Sequence, residues 1–272
     1  MAELRELTAA EKWNELVSRI REMGSVIVAF SGGVDSGLLS AAAYEALGDK
    51  MLAVTIQSPV DPAGEPEAAK SLAGQLHFPH RFVRMNDLEN PQFVANPPDR
   101  CYHCKKVRLQ ALQELGRASG YQVALEGSNA DDEGDYRPGK KAVQELGVRS
   151  PLAEVGLTKS EIRSLAKARG LVVWNQPSAP CLATRFTYGT RITQEGLQQV
   201  GEAEQFLKKK GFQPVRVRTD GTQARIEVSP TEIARVIEGR EEVVRRLKRL
   251  GFTYVTIDLE GYRSGSLNEV LK

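Results

Sequence analysis

Trp13, Leu16, Val17, Ile20 and Met23 recur at helical spacing, which predicts a helix over about residues 8 to 23. Ser25-Val-Ile-Val-Ala-Phe30 then runs apolar without a break into Ser31-Gly-Gly. A short strand that is apolar at every position is covered on both faces, as strands of a parallel sheet are. The pattern goes on to alternate: an Ala/Leu-rich helix from Val34 to Leu47, a strand Met51 to Gln57, a helix near Glu65 to Leu76, and a strand His80 to Met85. A polar stretch with Pro91, Pro97 and Pro98 follows, then a helix from about Tyr102 to Ala118 and a strand Tyr121 to Glu126. This alternation predicts an α/β fold with a doubly wound, mostly parallel sheet, whose ligands bind beyond the carboxyl ends of the strands.

After a helix Lys159 to Arg169, the segment Val173 to Cys181 carries two prolines and little periodicity, which marks a junction. The expected division is a large domain over 1–180 and a small α+β domain over 190–272. The latter reads as a helix Gln194 to Lys210, strands Val215 to Arg218 and Ala224 to Val228, a helix pair Thr231 to Arg249, and a strand Tyr254 to Leu259. The basic run Arg245 to Arg249 reads as a solvated helix face.

Composition narrows the function classes. Over 272 residues, 37 basic and 35 acidic side chains give a net charge of +2, which offers no general argument for binding nucleic acid. No apolar run reaches the roughly 18 residues of a membrane helix, and acidic residues stand where a secretory signal would carry basic ones. The expectation is a cytoplasmic protein without membrane or nucleic-acid partners. Three cysteines, an odd number, argue against a secreted disulfide framework.

The candidate chemistry begins at Ser31-Gly-Gly-Val-Asp-Ser36, between a predicted strand and a predicted helix. Glycines there let backbone N–H groups approach an anion at the helix start, and Ser31 and Ser36 add hydroxyl donors. Asp35 falls in the first helical turn, where it stabilises the helix dipole and could act through Mg²⁺ on phosphates. The lysine of a Walker loop is missing, as is the spacing of a dinucleotide site. Gly127-Ser-Asn-Ala-Asp-Asp132, at the end of a later strand, reads as a turn on the same side of the sheet. The S-G-G-x-D-S signature resembles the PP-loop ATP pyrophosphatase superfamily. That resemblance implies cleavage of ATP between the α and β phosphates and adenylation of a substrate oxygen. It makes Ser31, Gly32, Gly33, Asp35, Ser36, Gly127 and Asp132 nucleotide-side residues.

Cys101 and Cys104 form a C-x-x-C opening a predicted helix, and Cys181 lies on the later proline-rich loop. Read from the residues, the three could be ligands of an iron–sulfur cluster with one open iron, a redox pair with a spare thiol, part of a zinc site, or unrelated free thiols. Zinc would need a fourth ligand, and His103 sits inside the C-x-x-C where its geometry is poor.

Three further segments, Gly127 to Asp132, Asp135-Tyr-Arg-Pro-Gly139 and Pro177-Ser-Ala-Pro-Cys-Leu-Ala-Thr-Arg185, extend the likeness over nearly the whole chain, which resembles the LarE family of ATP-dependent sulfur transferases. In that family a pyridinium-3,5-dicarboxylate mononucleotide is adenylated and converted to thiocarboxylates for the nickel-pincer cofactor of lactate racemase. Some members sacrifice the sulfur of a single cysteine matching Cys181. This chain adds Cys101 and Cys104 and is similar to the three-cysteine members, which implies a [4Fe-4S] cluster on Cys101, Cys104 and Cys181. The resemblance makes Asp35, Ser36 and Cys181 the catalytic candidates. It assigns Arg185, Arg216 and Arg218 to the substrate phosphate, with Glu202 or Glu204 as a polar partner. Arg216-Val-Arg218 would present two guanidiniums on one face of a strand. Expected partners are the mononucleotide, sulfide or a sulfur-donor enzyme, and further copies of the chain. The competing readings are a tRNA thiolase, which would want an RNA-binding module and a basic surface; an amide-forming synthetase, which has no use for three cysteines; and a non-enzymatic ATP-sensing or metal-storage module.

Overall fold

The computed structural model describes residues 7–134, 138–177 and 180–271. The chain divides into two compact units: Met1–Gln57, Gly64–Met85 and Cys101–Ser178 form one, and Ser58–Ala63, Asn86–Arg100 and Ala179–Lys272 form the other. Two segments from the first half of the chain thus pack with the second unit.

In the first unit, strands β1 (Val26–Ala29), β2 (Met51–Gln57), β3 (His80–Arg84) and β4 (Val123–Leu125) form a parallel sheet in the order β3-β2-β1-β4. Helices α1 (Ala9–Glu22), α2 (Val34–Leu47) and α3 (Glu65–Leu76) alternate with the first three strands. The doubly wound arrangement shows in the alternation of side chains. Val26 and Val28 of β1 join a core with Leu16, Leu38, Leu39 and Leu72 from these three helices. Ile27 joins a second core on the opposite face with Leu52 and Val54 of β2. This explains why β1 is apolar at every position.

Besides the eight-residue helix over Gly139–Leu146, two short helices were not evident in the sequence: α4 (Pro91–Val94), which Asn90 caps by accepting from the N–H of Gln92 at 3.0 Å, and, further on, α7 (Pro151–Glu154). Each is four residues long with proline at its start, too short to show a helical period. Between them lie α5 (Arg100–Ala118), whose Leu109 and Leu112 cover the second face of the sheet, and α6 (Gly139–Leu146). The expected strand Tyr121 to Glu126 shortens because the Tyr121 N–H still closes α5, donating to Gly116 O at 2.9 Å. Helix α8 (Lys159–Ala168) begins in a reciprocal cap in which Thr158 and Glu161 satisfy each other's backbone N–H.

The second unit holds β5 (Val215–Arg218), β6 (Gln223–Val228) and β7 (Tyr254–Ile257) in the order β5-β6-β7, the first pair antiparallel and the second parallel. Helix α9 (Gln194–Lys209) contributes buried Leu197, Val200, Ala203 and Leu207. Helices α10 (Ile233–Glu238) and α11 (Arg240–Arg249) follow, the latter burying only Val243 and Leu247. No helix among the described residues is long and apolar enough to cross a membrane.

Candidate active site

Strand β1 ends at the turn that begins α2. Gly32 takes φ +79°, a conformation that side chains resist, and a Cβ there would stand 2.9 Å from Ala69 Cα. Gly33 opens α2 without a capping side chain, which leaves first-turn N–H groups available to an anion. The two serines lock the turn. Ser36 Oγ lies 3.0 Å from Ser31 Oγ, accepts from the Ser31 N–H at 3.2 Å and donates to Gly33 O at 3.2 Å. Gly127 lies so close behind that a Cβ would stand 3.2 Å from Ser36 N.

A cavity of about 540 Å³ opens at this turn, lined by Ser31, Gly33, Asp35, Ser36, Gly127 and Asp132 among others. Six of the seven residues expected on the nucleotide side therefore share one cavity; Gly32 instead permits the close approach to α3. One wall is apolar, from Phe30, Val54, Ile56, Leu109 and Leu112, and suits a planar base. Asp132 also braces the second loop, accepting from the Asn129 N–H at 3.0 Å.

Sequence reasoning missed Lys159, Asn129, Lys105 and Arg108, all of which line the cavity. Lys159, from the first position of α8, forms an ion pair with Asp35. Asn129 Nδ2 donates to the other carboxylate oxygen of Asp35 at 3.4 Å. The lysine absent from the phosphate turn thus arrives from 124 residues away, and no local pattern could reveal it. Lys105 Nζ donates to the buried Glu126 at 2.8 Å, and the Ser128 N–H and hydroxyl donate at 3.1 and 2.9 Å, with the Ser150 hydroxyl a further donor. Burial alone would push the Glu126 carboxyl up; the Lys105 charge and these hydrogen bonds override it and hold the group below its ordinary range.

Arg185, Arg216 and Arg218, expected to share one task, differ in what they bond. Arg185 is 2% exposed and forks onto Glu204, with Nε–Oε1 at 2.7 Å and Nη2–Oε2 at 2.9 Å. Its Nη1 donates to Pro180 O at 3.0 Å, Cys181 O at 3.3 Å and Thr184 Oγ1 at 2.8 Å. Arg218 is buried against the fully buried Glu227, at 3.0 Å, and donates to Thr184 O at 2.7 Å. Arg216 donates to the carbonyl of its neighbour Val215, at 2.8 Å, and lies 5.3 Å from the Tyr262 ring centre. Burial, followed by the charge of Arg185, holds the Arg216 guanidinium below its ordinary value. A half-buried cation that repels its neighbour is where an added anion gains most. Glu202 stands apart from these arginines, paired with Arg246 at 3.2 Å.

Of the three cysteines, Cys101 is exposed and Cys104 and Cys181 are half-buried. Cys101 and Cys104 lie one turn apart at the start of α5 in the first unit; Cys181, in the second, precedes the 3-10 turn Leu182–Arg185. Among the described residues no three His, Cys, Asp or Glu side chains gather into a metal-binding group. Asp135, Tyr136 and Arg137, like Ser178 and Ala179, lie outside the described residues.

Comparison with known proteins bears on both units. The NAD synthase family profile matches residues 9–95, which span the phosphate turn. An uncharacterized protein of Synechocystis is 44% identical over 252 residues, covering 92% of this chain and 94% of the relative. The pyridinium-3,5-bisthiocarboxylic acid mononucleotide synthase of Lactiplantibacillus plantarum is 38% identical over 265 residues, covering 97% of this chain and 96% of that enzyme. A glutamine-hydrolysing GMP synthase chain of Pyrococcus abyssi is 27% identical over 253 residues, 82% of each.

Proposed function

The chain belongs to the LarE family of PP-loop sulfur transferases, and from that premise we propose that it converts the carboxylates of a pyridinium-3,5-dicarboxylate mononucleotide to thiocarboxylates at the expense of ATP. The observation that carries this reading is the S-G-G-x-D-S turn closed by Ser31 and Ser36 at the floor of a cavity with one apolar and one polar wall.

In this reading a substrate carboxylate oxygen attacks the α-phosphorus of ATP, the bond from that phosphorus to the bridging oxygen breaks, and pyrophosphate leaves. First-turn N–H groups of α2 and Lys159 receive its charge. Asp35, paired with Lys159 here, would hold Mg²⁺, which would supply positive charge to the phosphates. A sulfur nucleophile then attacks the acyl carbon of the adenylate, a C–S bond forms, and AMP leaves with the carboxylate oxygen. Of the three arginines on the second unit, Arg216 takes the substrate phosphate, since Arg185 and Arg218 already hold Glu204 and Glu227.

Cys101, Cys104 and Cys181 supply three thiol donors, the first two one helical turn apart, and would be the three protein ligands of a [4Fe-4S] cluster. Such a cluster would supply a sulfide at its open iron. Sulfide or a desulfurase would replenish it, and the chain would act as a homo-oligomer of a large nucleotide-binding domain and a small substrate domain. The test is product analysis: with Mg·ATP and the mononucleotide, thiocarboxylate should appear with AMP and pyrophosphate, whereas ADP would end the reading.

A further inference from the structure

Arg100, the first residue of α5, is 2% exposed, and among the described residues no carboxylate lies within salt-bridge distance of it. Its Nη1 donates to the Asn96 side-chain oxygen and to Ala183 O, the latter at 3.0 Å, and its Nε is buried without a partner. The face of Tyr188 lies 5.9 Å from the guanidinium carbon. A buried charge without an acid costs several kcal/mol, so a fold that holds one is holding it for its placement.

That placement is specific. Ala183 is two residues beyond Cys181, and Arg100 is the residue before Cys101; Arg100 and the Cys181 loop both belong to the second unit. Asn96, fully buried at φ +56°, seats the guanidinium with its oxygen while its Nδ2 donates to Thr187 O at 2.7 Å and Thr190 O at 3.0 Å. From the other side Arg185 grips Pro180 O and Cys181 O, and Arg218 grips Thr184 O. Four carbonyls between residues 180 and 184 therefore accept from three buried guanidiniums.

We propose that Arg100 is a positioning residue for sulfur transfer, fastening the start of the helix that carries Cys101 and Cys104 to the loop that carries Cys181. The proposal rests on the sulfur-transfer reading above. Its consequence is a division of labour. Adenylation uses the cavity of the first unit, which Arg100 does not line, whereas transfer needs Cys181 held in register with the start of α5. When that register is lost, the acyl-adenylate waits and is hydrolysed: water attacks the acyl carbon, AMP leaves, and the carboxylate returns.

The experiment uses full-length protein purified anaerobically, as wild type, Arg100→Met and Arg100→Lys, with Mg·ATP, the dicarboxylate mononucleotide and sulfide. AMP and thiocarboxylate are counted in the same reaction, and the alkylation rate of Cys181 by iodoacetamide is read by mass spectrometry. In Arg100→Met the yield of thiocarboxylate per AMP should fall roughly tenfold or more, as loss of a charge-assisted tether predicts, with AMP formation nearly unchanged. Arg100→Lys, which keeps one donor, should recover part of the yield. General destabilisation would lower both products together. Should Arg100→Met fail to fold, Asn96→Gly keeps the positive φ, removes the seat, and should show the same uncoupling. An unchanged yield per AMP in a folded variant overturns the proposal. If the wild type makes AMP but no thiocarboxylate, the functional reading fails instead. Cys181 alkylation then decides the tether by itself: faster in Arg100→Met supports it, unchanged overturns it.

Discussion

Lys159 Nζ and the Asp35 carboxylate form an ion pair across the nucleotide cavity, joining the first turn of α8 to the first turn of α2. Both side chains remain partly exposed, so the pair adds little to stability and is free to separate when a triphosphate and its metal enter. Lys159→Ala should therefore lower AMP formation on the order of a hundredfold, the cost of losing a group aimed at developing charge, while the thermal midpoint stays within a few degrees of wild type. Steady-state pyrophosphate release and a melting curve check it. Asp35→Ala should abolish adenylation.

The arginines of the second unit should separate by experiment as they do by geometry. Arg216→Ala should weaken binding of the mononucleotide roughly tenfold, with stability and ATP affinity unchanged, because it removes a guanidinium whose hydrogen bond goes to a backbone carbonyl and not to a buried carboxylate. Arg218→Ala should destabilise the protein by about 1.5–3 kcal/mol, since it removes a charge-assisted pair from the fully buried Glu227 and leaves it to the partly exposed Arg225 at 3.3 Å. Calorimetric titration and urea denaturation of the two variants give both halves; equal binding losses with equal stability would refute the division.

The Glu126 carboxyl is held below its ordinary value of 4.5, so it contributes stability that is fully present above that value and is lost as pH falls through its folded-state pKa. Wild-type protein should lose more stability between neutral pH and the acid limb than Glu126→Gln does. Urea midpoints measured across that range test the sign. Lys105→Met, which leaves Glu126 buried without its cation, should be less stable at neutral pH than Glu126→Gln.

Much of this was legible in the sequence because it is local. The apolar run into Ser31-Gly-Gly announces β1 and its turn, and the pattern over Glu65 to Leu76 predicts the helix that forms there. What could not be read was long-range. Lys159 meets Asp35, and Arg100 meets Ala183, through folding alone. The R-x-R on β5 was visible, but its unequal partners were not: Glu204 reaches Arg185 from α9 and Glu227 reaches Arg218 from β6.

Removing one thiol at a time tests the sulfur chemistry. If Cys101, Cys104 and Cys181 ligate one cluster, each single Cys→Ala variant should lose bound iron and sulfur transfer together, because two thiolates hold such a cluster poorly. Iron analysis and visible absorbance of anaerobically prepared protein provide the readout. Full activity in Cys101→Ala, with a loss of the mass of hydrogen sulfide at Cys181 in the wild type, would instead show that Cys181 gives up its own sulfur.

The most direct measurement is the stoichiometry of a single reaction containing the anaerobic protein, Mg·ATP, the pyridinium dicarboxylate mononucleotide and sulfide, with nucleotides and pyridinium products quantified together. The account predicts one AMP and one pyrophosphate for each carboxylate converted to a thiocarboxylate, over more than one turnover per chain. ADP and phosphate, or AMP with an amide in place of the thiocarboxylate, would contradict it.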